Sequence, residues 1–554
     1  MLEHNYQTTK LAIAPTPQHN EHHPIVIVGA GPVGLSLAID LALRGQAVIV
    51  LDDDNQFSVG SRAICFAKRT LDIWDRLGVG ERMTQKGIAW NVGKVFFREE
   101  EVWNFDLLPE PKHRRPAFIN LQQYYCEAFL YERALELGVT IRSKHKVIAV
   151  ENLPNQAILS VNTPDGSYQI QADWLIACDG ARSPIRSFIG QCSQGRVFQD
   201  RFLIADVRTK ASYPAERWFW FDPPFHRNQS VLLHSQPDDV WRIDFQLGWD
   251  ADPIEEIKEE NVRPRVQALL GDDIEFEFEW ISIYTFACER MDTFRFNRIL
   301  FAGDSAHRVS PFGARGANSG IQDADNLAWK LDLYLRGLAP ESLLDSYCSE
   351  RCYAADENIA HSSRATDFIT PKSEISLLFR NTTLRLAKQL PFARSLVNSG
   401  RLSTPSTYVH SELNSIDQES FGGTVNIGGA AVDAPLMVRQ HPIWWLSQLG
   451  SRFTLVLFNP NTDQLAQAQS LQSPDLLDVI VIQSPDQTQH ISTQHISLVD
   501  VEGIWQQRYD AQPGSSYLFR PDQHLTARWR HAKPQQIQQA LKQACGFINQ
   551  EVAC

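Results

Sequence analysis

Hydrophobic and polar residues along this chain change period several times, and the first change is the most informative. The β-branched run over residues 25–28 leads into a glycine-rich stretch, and apolar residues at helical spacing follow from 35 to 42. A second apolar run over 47–51 ends in an acidic residue. The pattern predicts a strand, a turn, a helix and a second strand, which together form a βαβ unit.

The turn in this unit has the glycine spacing of a dinucleotide-binding loop. Gly29 permits a tight turn, Gly31 lets the backbone approach a pyrophosphate, and Gly34 lets the helix pack close to the strand. N–H groups at the helix start hold phosphates, and an acid after the second strand accepts hydrogen bonds from a ribose. The predicted contacts with the ADP part of a dinucleotide are Gly29, Ala30, Gly31, Pro32, Val33, Gly34 and Asp52.

Two later segments distinguish FAD from NAD. Each is an apolar, strand-like run that ends in a small residue and an acid: Asp179-Gly180 within 174–183, and Gly303-Asp304 within 299–307. In this order and spacing, the three motifs resemble those of the group A flavoprotein monooxygenases, the aromatic hydroxylases related to p-hydroxybenzoate hydroxylase. The branch of 3-(3-hydroxyphenyl)propionate hydroxylase and phenol hydroxylase is the most similar. The resemblance extends from about residue 24 to residue 545.

The resemblance implies further contacts with FAD. The second motif would lie near FAD and the nicotinamide donor, the third would bind the flavin ribityl and ribose, and the loop after it would follow the isoalloxazine ring. A helix over 321–333 would point its N-terminus at the electron-rich edge of the ring. The residues so implied are Arg62, Gln123, Asp179, Gly180, Gly303, Asp304, Pro311, Gly313, Gly316, Ala317 and Asn318.

The chain departs from the family pattern in two places. Ala314 stands where many members have glycine, and its methyl group restricts the positive φ angles that glycine adopts freely. Ile64 stands where some phenol hydroxylases have a histidine base. The catalytic residue is therefore unknown, and we expect His307 to be a helix-end histidine satisfied by backbone.

The segment between the two later motifs predicts an inserted sheet for the substrate. Residues 240–247 alternate strictly, so Arg242, Asp244 and Gln246 share one face. One interpretation is a half-buried strand with a wet face; the other is the ceiling of a substrate cavity, where the resembling family has its sheet. On the second interpretation, the substrate-binding residues are Arg242, Asp244, Gln246, Trp220 and Phe312.

The predicted fold class is α/β, with a Rossmann-like FAD-binding domain, an inserted β-sheet substrate domain and a C-terminal thioredoxin-like domain. We expect a disordered lead over 1–23, the FAD-binding domain over 24–195 and 290–397, the substrate sheet over 196–289, a linker over 398–422 and the last domain over 423–554. The last domain lacks a CxxC motif, so we expect it to give structural support or a subunit contact, which leaves a homodimer open.

Composition restricts the binding partners and the cellular compartment that the sequence predicts. The net charge of −13 argues against nucleic acid and anionic membranes. The most apolar window, 25–43, contains Pro32 and Asp40 and predicts no membrane span. The nine cysteines are scattered without metal-ligand spacing, which predicts a reduced cytoplasm and no metal site.

The resemblance implies an FAD-dependent monooxygenase that hydroxylates a small aromatic, phenolic substrate. NADH or NADPH would reduce the flavin, O₂ would add to give a C4a-hydroperoxide, and its distal oxygen would transfer to the ring. Two alternatives stay open. One is a flavin enzyme that performs Baeyer–Villiger oxidation or moves hydride without inserting oxygen; the other is a non-enzymatic flavin-binding scaffold.

Overall fold

The computed structural model of the chain describes residues 6–60, 62–210, 213–397, 402, 404–487 and 496–547. Residues 1–5, 61, 211–212, 398–401, 403, 488–495 and 548–554 lie outside the described residues, and they include the start of the predicted lead, the start of the predicted linker and Cys554.

The helices and strands fall into three stretches of the chain. The first stretch contains β1 (Glu21–Val28), α1 (Pro32–Leu43), β2 (Val48–Asp52), β3 (Cys65–Ala67), α2 (Lys68–Leu77), α3 (Gly80–Lys86), β4 (Ile88–Trp90), β5 (Val92–Phe97), β6 (Glu100–Asp106), β7 (Phe118–Asn120), α4 (Gln123–Glu136), β8 (Thr140–Ser143), β9 (Lys146–Asn152), β10 (Ala157–Thr163), β11 (Gly166–Ala177) and α5 (Pro184–Phe188). The second contains β12 (Gln194–Arg208), β13 (Arg217–Phe221), β14 (Ser230–Gln236), β15 (Val240–Leu247), α6 (Pro253–Glu256), α7 (Glu259–Leu270), β16 (Glu277–Arg290), β17 (Arg295–Phe296), β18 (Ile299–Phe301) and β19 (His307–Arg308). The third contains α8 (Gly316–Leu335), α9 (Leu343–Ile369), α10 (Glu374–Ala387), α11 (Pro391–Val397), β20 (Pro435–Val438), β21 (His441–Trp444), β22 (Phe453–Phe458), α12 (Thr462–Leu471), β23 (Leu477–Gln483), β24 (Ile496–Val499), α13 (Ile504–Tyr509), β25 (Ser516–Phe519), β26 (Leu525–Trp529) and α14 (Pro534–Ala544).

The first sheet is the predicted Rossmann-like sheet. Its strands follow the order β17-β18-β11-β1-β2-β8, and β18, β11, β1, β2 and β8 run parallel. Val28 lies beside Ala177, which in turn lies beside Phe301. Because these three strands end together, the motifs that follow them emerge at the same edge of the sheet, where open α/β sheets bind ligands.

The second sheet forms the predicted substrate domain, and it takes strands from two parts of the chain. Its order is β19-β16-β12-β15-β14-β13-β5-β6. The predicted limits of 196 and 289 lie within two residues of the start of β12 and the end of β16. Strands β5 and β6 also belong to the sheet, although the sequence analysis assigned them to the FAD-binding domain. The parallel pairing of β5 with β13 joins residues more than 100 positions apart, and no local pattern indicates such a pairing.

The C-terminal domain has a seven-stranded sheet in the order β21-β20-β24-β23-β22-β25-β26. Three central parallel strands, with α12 between β22 and β23, stand beside the antiparallel strands β25 and β26. This is the arrangement expected of a thioredoxin-like domain. The described part of the linker differs from expectation because Tyr408 and Leu413 are buried within it.

The expected disorder of the N-terminal lead is wrong for residues 6–23. Tyr6 donates a hydrogen bond to Glu132 and packs edge-on against Phe57 and Phe129. Isolated β-bridges follow, and β1 already begins at Glu21. The half-buried ring of Tyr6 and main-chain pairing fix this segment, although its composition is polar. Within the described residues, every helix is too short or too polar to cross a bilayer.

Candidate active site

The glycine loop after β1 has the geometry that a pyrophosphate requires. Gly29 adopts a φ of 109°, and a Cβ there would lie 2.3 Å from the carbonyl oxygen of Cys178. A Cβ on Gly34 would lie 2.0 Å from the carbonyl oxygen of Gly29, so only glycine allows α1 to start this close to the strand. A Cβ on Gly31 would meet nothing within 4 Å. Gly31 therefore borders open space at the start of α1, where a phosphate group could approach the backbone.

Asp52 holds this loop in place. Its Oδ2 accepts a hydrogen bond from Ala30 N at 2.6 Å, and its Oδ1 accepts one from Asp54 N at 2.8 Å. Burial raises the pKa of this carboxyl group. Each oxygen keeps a second lone pair for a hydroxyl group, so contact with a ribose stays a prediction for this residue.

The two small-residue/acid pairs lie beside the loop. Asp179 Oδ2 accepts hydrogen bonds from Ser183 Oγ at 2.8 Å and Ile185 N at 3.1 Å, while its buried Oδ1 has no partner among the described residues. Gly180 and Gly303 adopt φ angles of 77° and 69°. Asp304 is exposed, and its carboxylate accepts no hydrogen bond from the part of the protein that the structure describes.

The loop that follows differs from the prediction in two respects. Helix α8 begins at Gly316, five residues before the predicted start, so its N-terminus includes Ala317 and Asn318. Gly313 has a φ of 108°, and Ala314 adopts the left-handed region at 52° despite its methyl group. Pro311 is exposed at the start of this loop. An alanine in this region costs about 1–2 kcal/mol, which the surrounding contacts must offset.

The Asn318 side chain supplies part of those contacts. Its Oδ1 accepts hydrogen bonds from Ala67 N at 2.8 Å and Thr70 Oγ1 at 2.6 Å. Its Nδ2 donates to the carbonyl oxygens of Cys65 at 2.9 Å and Ala314 at 2.6 Å. This amide therefore anchors the loop to β3 and α2. Because the side chain is occupied by these bonds, the backbone of Asn318 would make any contact with the cofactor.

Arg62 lies on a loop that Gln123 shapes. Gln123 Oε1 accepts a hydrogen bond from Ala63 N at 3.1 Å, and its Nε2 donates to Glu127 Oε1 at 2.8 Å. The Arg62 side chain is exposed, and its charge acts on Asp304 and Tyr284. Gln123 thus positions the loop that presents the Arg62 cation.

His307 is buried, and its partner is not the expected backbone group. Its Nε2 lies 2.7 Å from Asp323 Oδ2, which also accepts a hydrogen bond from Gly303 N at 2.8 Å. Asp323 Oδ1 accepts a hydrogen bond from Arg351 Nε at 2.6 Å. The prediction of a structural histidine remains, but an ion-pair network rather than the main chain holds the ring.

The inner face of the second sheet lies over this edge, because Arg242 Nη1 donates to the carbonyl oxygen of Arg62 at 3.2 Å. One end of the face is aromatic: Phe312 packs against Phe202 and Phe286, with ring centroids 5.0 and 5.3 Å apart. Phe312 therefore packs against the sheet within a buried aromatic cluster, and its contact with a substrate stays a prediction. The other end is polar and contains the three predicted residues of β15.

These three residues are not equivalent. Arg242 donates to both oxygens of Asp206 at 2.7 Å, and Gln246 Oε1 accepts a hydrogen bond from Ser230 N at 3.0 Å. Asp244 accepts no hydrogen bond from any described residue, and its Oδ1 is buried. Of the three, Asp244 is the one whose side chain makes no hydrogen bond with a described residue.

Trp220 lies on the opposite face of the sheet, so grouping it with the β15 residues is wrong. Its ring stacks on Phe96 at 5.1 Å and belongs to the core that the sheet forms with α7. Strand alternation gives the physical reason: Trp220 pairs with Val231 and so faces away from Arg217, which pairs with His234.

Sequence analysis missed Arg217 and His234 on the inner face and Cys65 on strand β3 beside it. His234 Nε2 lies 3.7 Å from Asp244 Oδ2, and its Nδ1 lies 3.8 Å from Cys65 Sγ. Alternation within β13 could have shown that Arg217 faces away from Trp220. It could not have shown which face meets the cofactor domain, since that depends on the pairing of separate strands.

The residues present fit an FAD molecule. Open space at Gly31, the free carboxylate of Asp304 and the unpaired Oδ1 of Asp179 lie at the ends of three adjacent strands, beside the N-terminus of α8. Backbone donors for phosphates and acidic acceptors for hydroxyl groups are the complement that this cofactor requires. Among the residues that the structure describes, no group of three or more His, Cys, Asp or Glu is arranged to hold a metal ion.

Comparison with known proteins agrees with this fit. The family model described as "FAD binding domain" matches residues 22–362, which is more than half of the chain. The chain therefore belongs to this family of FAD-binding proteins.

Its relatives include flavin-dependent monooxygenases. The 12-dehydrotetracycline 5-monooxygenase/anhydrotetracycline 6-monooxygenase of Streptomyces rimosus subsp. rimosus is 31% identical over 349 residues, which cover 59% of this chain and 66% of that protein, slightly less than two thirds. The 6-methylpretetramide 4-monooxygenase of Streptomyces rimosus is 27% identical over 536 residues and 92% of both chains.

Solved structures agree on the fold over nearly the whole chain. The flavin-dependent monooxygenase PieE, in complex with FAD and substrate, superimposes with a TM-score of 0.79 at 20% identity and covers 95% of this chain and 100% of that one. Aklavinone-11 hydroxylase with FAD and aklavinone gives a TM-score of 0.77 at 19% identity and covers 96% and 100%. The C-terminal domain is thus part of a three-domain arrangement that these proteins share.

Proposed function

We propose that the protein is an FAD- and NAD(P)H-dependent monooxygenase that hydroxylates an aromatic ring bearing a phenolic or enolic hydroxyl group. One observation carries the proposal: a sheet face with an aromatic end and a polar end lies directly over the edge where three FAD motifs converge. The names of the relatives add support, since tetracycline-type substrates are polycyclic and carry hydroxyl groups.

The bound FAD would supply hydride uptake and oxygen activation, while the protein supplies placement and a dry site. The glycine loop and Asp52 would hold the ADP part, and Asp304 would accept hydrogen bonds from the ribityl chain. The partial positive charge at the start of α8 would favour electron density on the flavin. Phe202, Phe286 and Phe312 would exclude water beside the ring, which protects the oxygen-transfer step.

Oxygen uptake tests the proposal against its alternatives. Purified protein is given FAD, then NADH or NADPH, and a panel of phenols and hydroxylated polycyclic ketones; oxygen consumption and product mass are measured. The expected result is substrate-stimulated oxygen uptake with one oxygen atom added to a ring. Insertion beside a ketone would identify a Baeyer–Villiger enzyme, and oxidation without an added atom would identify a non-oxygenating oxidoreductase. No turnover with tightly bound FAD would favour a scaffold.

FAD binding itself gives a direct test of Asp304. The substitution Asp304→Ala removes a charged acceptor worth about 1.5–3 kcal/mol, so FAD should bind roughly ten- to a hundredfold more weakly. The measurement is flavin absorbance retained after gel filtration, followed by titration of the apo-protein with FAD. Asp165→Ala, in an exposed hairpin turn far from the site, is the matched control. Full FAD occupancy in the Asp304 variant would refute its role.

A further inference from the structure

Arg217 is a buried cation that lacks a hydrogen-bond partner among the described residues. It lies on the inner face of the substrate sheet, is 9% exposed, and donates no hydrogen bond to any residue that the structure describes. Its Nε is buried, and burial lowers the pKa of the guanidinium. Buried charges are normally paired, because removing them from water is costly. An unpaired guanidinium on the inner face of the substrate sheet therefore indicates an absent acceptor.

Asp244 is an acid on the same face of the sheet as Arg217. Its Oδ1 is buried and has no hydrogen-bond partner among the described residues, and its side chain exposes 19% of its surface. Strands β13 and β15 both flank β14, so their backbones lie about 9–10 Å apart, a distance that an arginine side chain and one small ligand group can span. Each of the two residues acts on the charge of the other. We call Arg217, His234 and Asp244 the sheet-face cluster.

The charges around Asp244 restrict what can bind between it and Arg217. On the same strand Arg242 is neutralised by Asp206 of β12. On β14, burial and two neighbouring arginines lower the pKa of His234 well below its usual range, so the ring is neutral. On β3, burial raises the pKa of Cys65 to about 11, so the thiol is neutral as well. What remains is one cation, Arg217, and one acid, Asp244.

A hydroxyl group fits this pair better than other polar groups. A carboxylate would be attracted by Arg217 but repelled by Asp244, and an ammonium group would meet the reverse. A ring hydroxyl accepts a hydrogen bond at its oxygen and gives one through its proton, so it satisfies both residues at once.

We propose that Arg217 and Asp244 together form the subsite for one acidic ring hydroxyl of the substrate, a phenol or an enol. This inference rests on the proposed function and names the recognition chemistry of the same cavity. Arg217 donates to the hydroxyl oxygen, and the carboxylate of Asp244 accepts its proton. When the O–H bond breaks, its electron pair stays on the ring oxygen beside Arg217, and no electron leaves the ring. The resulting oxyanion makes the ring richer in electrons for attack on oxygen.

Binding of 4-nitrophenol tests the subsite without turnover. The phenol and the phenolate absorb at different wavelengths, so a difference spectrum against FAD-loaded protein reports both binding and ionisation. The wild type should bind the probe as phenolate at a pH where most free probe is protonated. It should bind 4-nitroanisole, which lacks the hydroxyl group, at least about tenfold more weakly.

Variants assign the effect to Arg217. Arg217→Met should weaken 4-nitrophenol binding at least about tenfold and abolish the phenolate spectrum, whereas Arg217→Lys should keep part of both. Arg208→Met, at an exposed arginine of the same sheet, is the matched control and should bind like the wild type. FAD content and Tm identify any misfolded variant, and the Met variant should melt no lower than the wild type because it removes an unpaired buried charge.

Three results of these binding experiments would contradict the proposal. No binding by the wild type, equal binding of the two probes, or wild-type binding by Arg217→Met would overturn the subsite. Because NAD(P)H and oxygen are absent, failure of the proposed function would appear separately, as probe binding without hydroxylation of any substrate.

Discussion

Two clusters of buried charges in this molecule differ in how well they are satisfied. We call Lys330, Glu350, Arg520 and Asp522, at the contact of α8 and α9 with the C-terminal domain, the interdomain cluster. Glu350 accepts hydrogen bonds from Arg520 at 2.6 and 3.0 Å and from Lys330 at 2.8 Å, and Arg520 also pairs with Asp522 at 2.5 Å. In the sheet-face cluster, Arg217 and Asp244 make no such bonds with any residue in the described part of the chain.

The pKa shifts of Glu350 and Asp244, the acids compared in the two clusters, have opposite signs. Arg520 and Lys330 hold the pKa of Glu350 far below its usual range, and burial lowers the pKa of Lys330 to about 8, so both charges persist at neutral pH. Burial raises the pKa of Asp244 to about 6 and lowers that of Arg217. Burial alone therefore does not distinguish a buried charged side chain with a structural role from one that binds a ligand. The distinguishing feature is whether the side chain has hydrogen-bond partners within the protein.

The interdomain cluster also reaches the candidate cofactor site. Arg351, the residue after Glu350, donates to Asp323 at 2.6 Å, and Asp323 accepts a hydrogen bond from Gly303 N. One turn of α9 thus contacts the C-terminal domain through Glu350 and the predicted ribityl-binding turn through Arg351. This arrangement supports the expectation that the C-terminal domain has a structural role.

The largest expected effect comes from a substitution that breaks the interdomain cluster. Glu350→Gln leaves Arg520 and Lys330 without their shared anion, so we expect a loss of about 3–5 kcal/mol in the free energy of unfolding. Urea unfolding of the FAD-loaded protein measures it. Asp345→Asn, on the exposed side of the same helix, is the control and should change stability by less than about 0.5 kcal/mol. A loss below about 1 kcal/mol for Glu350→Gln would contradict the comparison.

The second prediction concerns Asp244 and is a gain, not a loss, in the free energy of unfolding. A rise in pKa from 3.8 to about 6 means that ionised Asp244 destabilises the fold by about 3 kcal/mol. The raised pKa makes the native state bind the proton more tightly, so this cost is absent below about pH 4, grows towards pH 6 and is complete above it. Asp244→Asn should therefore match the wild type near pH 4 and exceed its stability at pH 8. Thermal unfolding across this pH range checks it, and equal stability at pH 8 would refute it.

The smallest expected effect concerns backbone strain beside the cofactor site. Ala314→Gly relieves the left-handed alanine but increases the freedom of the unfolded chain, so we expect a net gain of about 0.5–1 kcal/mol. Gly313→Ala, at a φ of 108°, is the matched reverse substitution and should destabilise the protein. Tm values of both variants, compared with their FAD affinities, show whether the strain at Ala314 serves the cofactor. A lower Tm for Ala314→Gly would argue against strain.

Local patterns predicted the parts of this molecule that depend on neighbours in sequence. The glycines from 29 to 34 indicated the turn because their spacing encodes its geometry, and alternation in β15 placed Arg242, Asp244 and Gln246 on one face. Sequence could not show that Asp206 neutralises Arg242 or that Arg217 shares a face with Asp244, because both relations depend on the pairing of separate strands. The early start of α8 was missed because Gly316 and Asn318 are weak helix formers that contacts with β3 and α2 override.

The contact between Glu350 and Arg520 has a consequence for how the chain is made. The two residues lie 170 positions apart, so at about 5–20 residues per second a ribosome needs roughly ten to thirty seconds to synthesise the second after the first. During that interval Glu350 can bind Lys330 and Asn326 but not the guanidinium that supplies two of its hydrogen bonds. The turn at Gly303 is bonded through Asp323 and Arg351 to helix α9, and the pairing of that helix with Arg520 can form only after residue 520 has been synthesised.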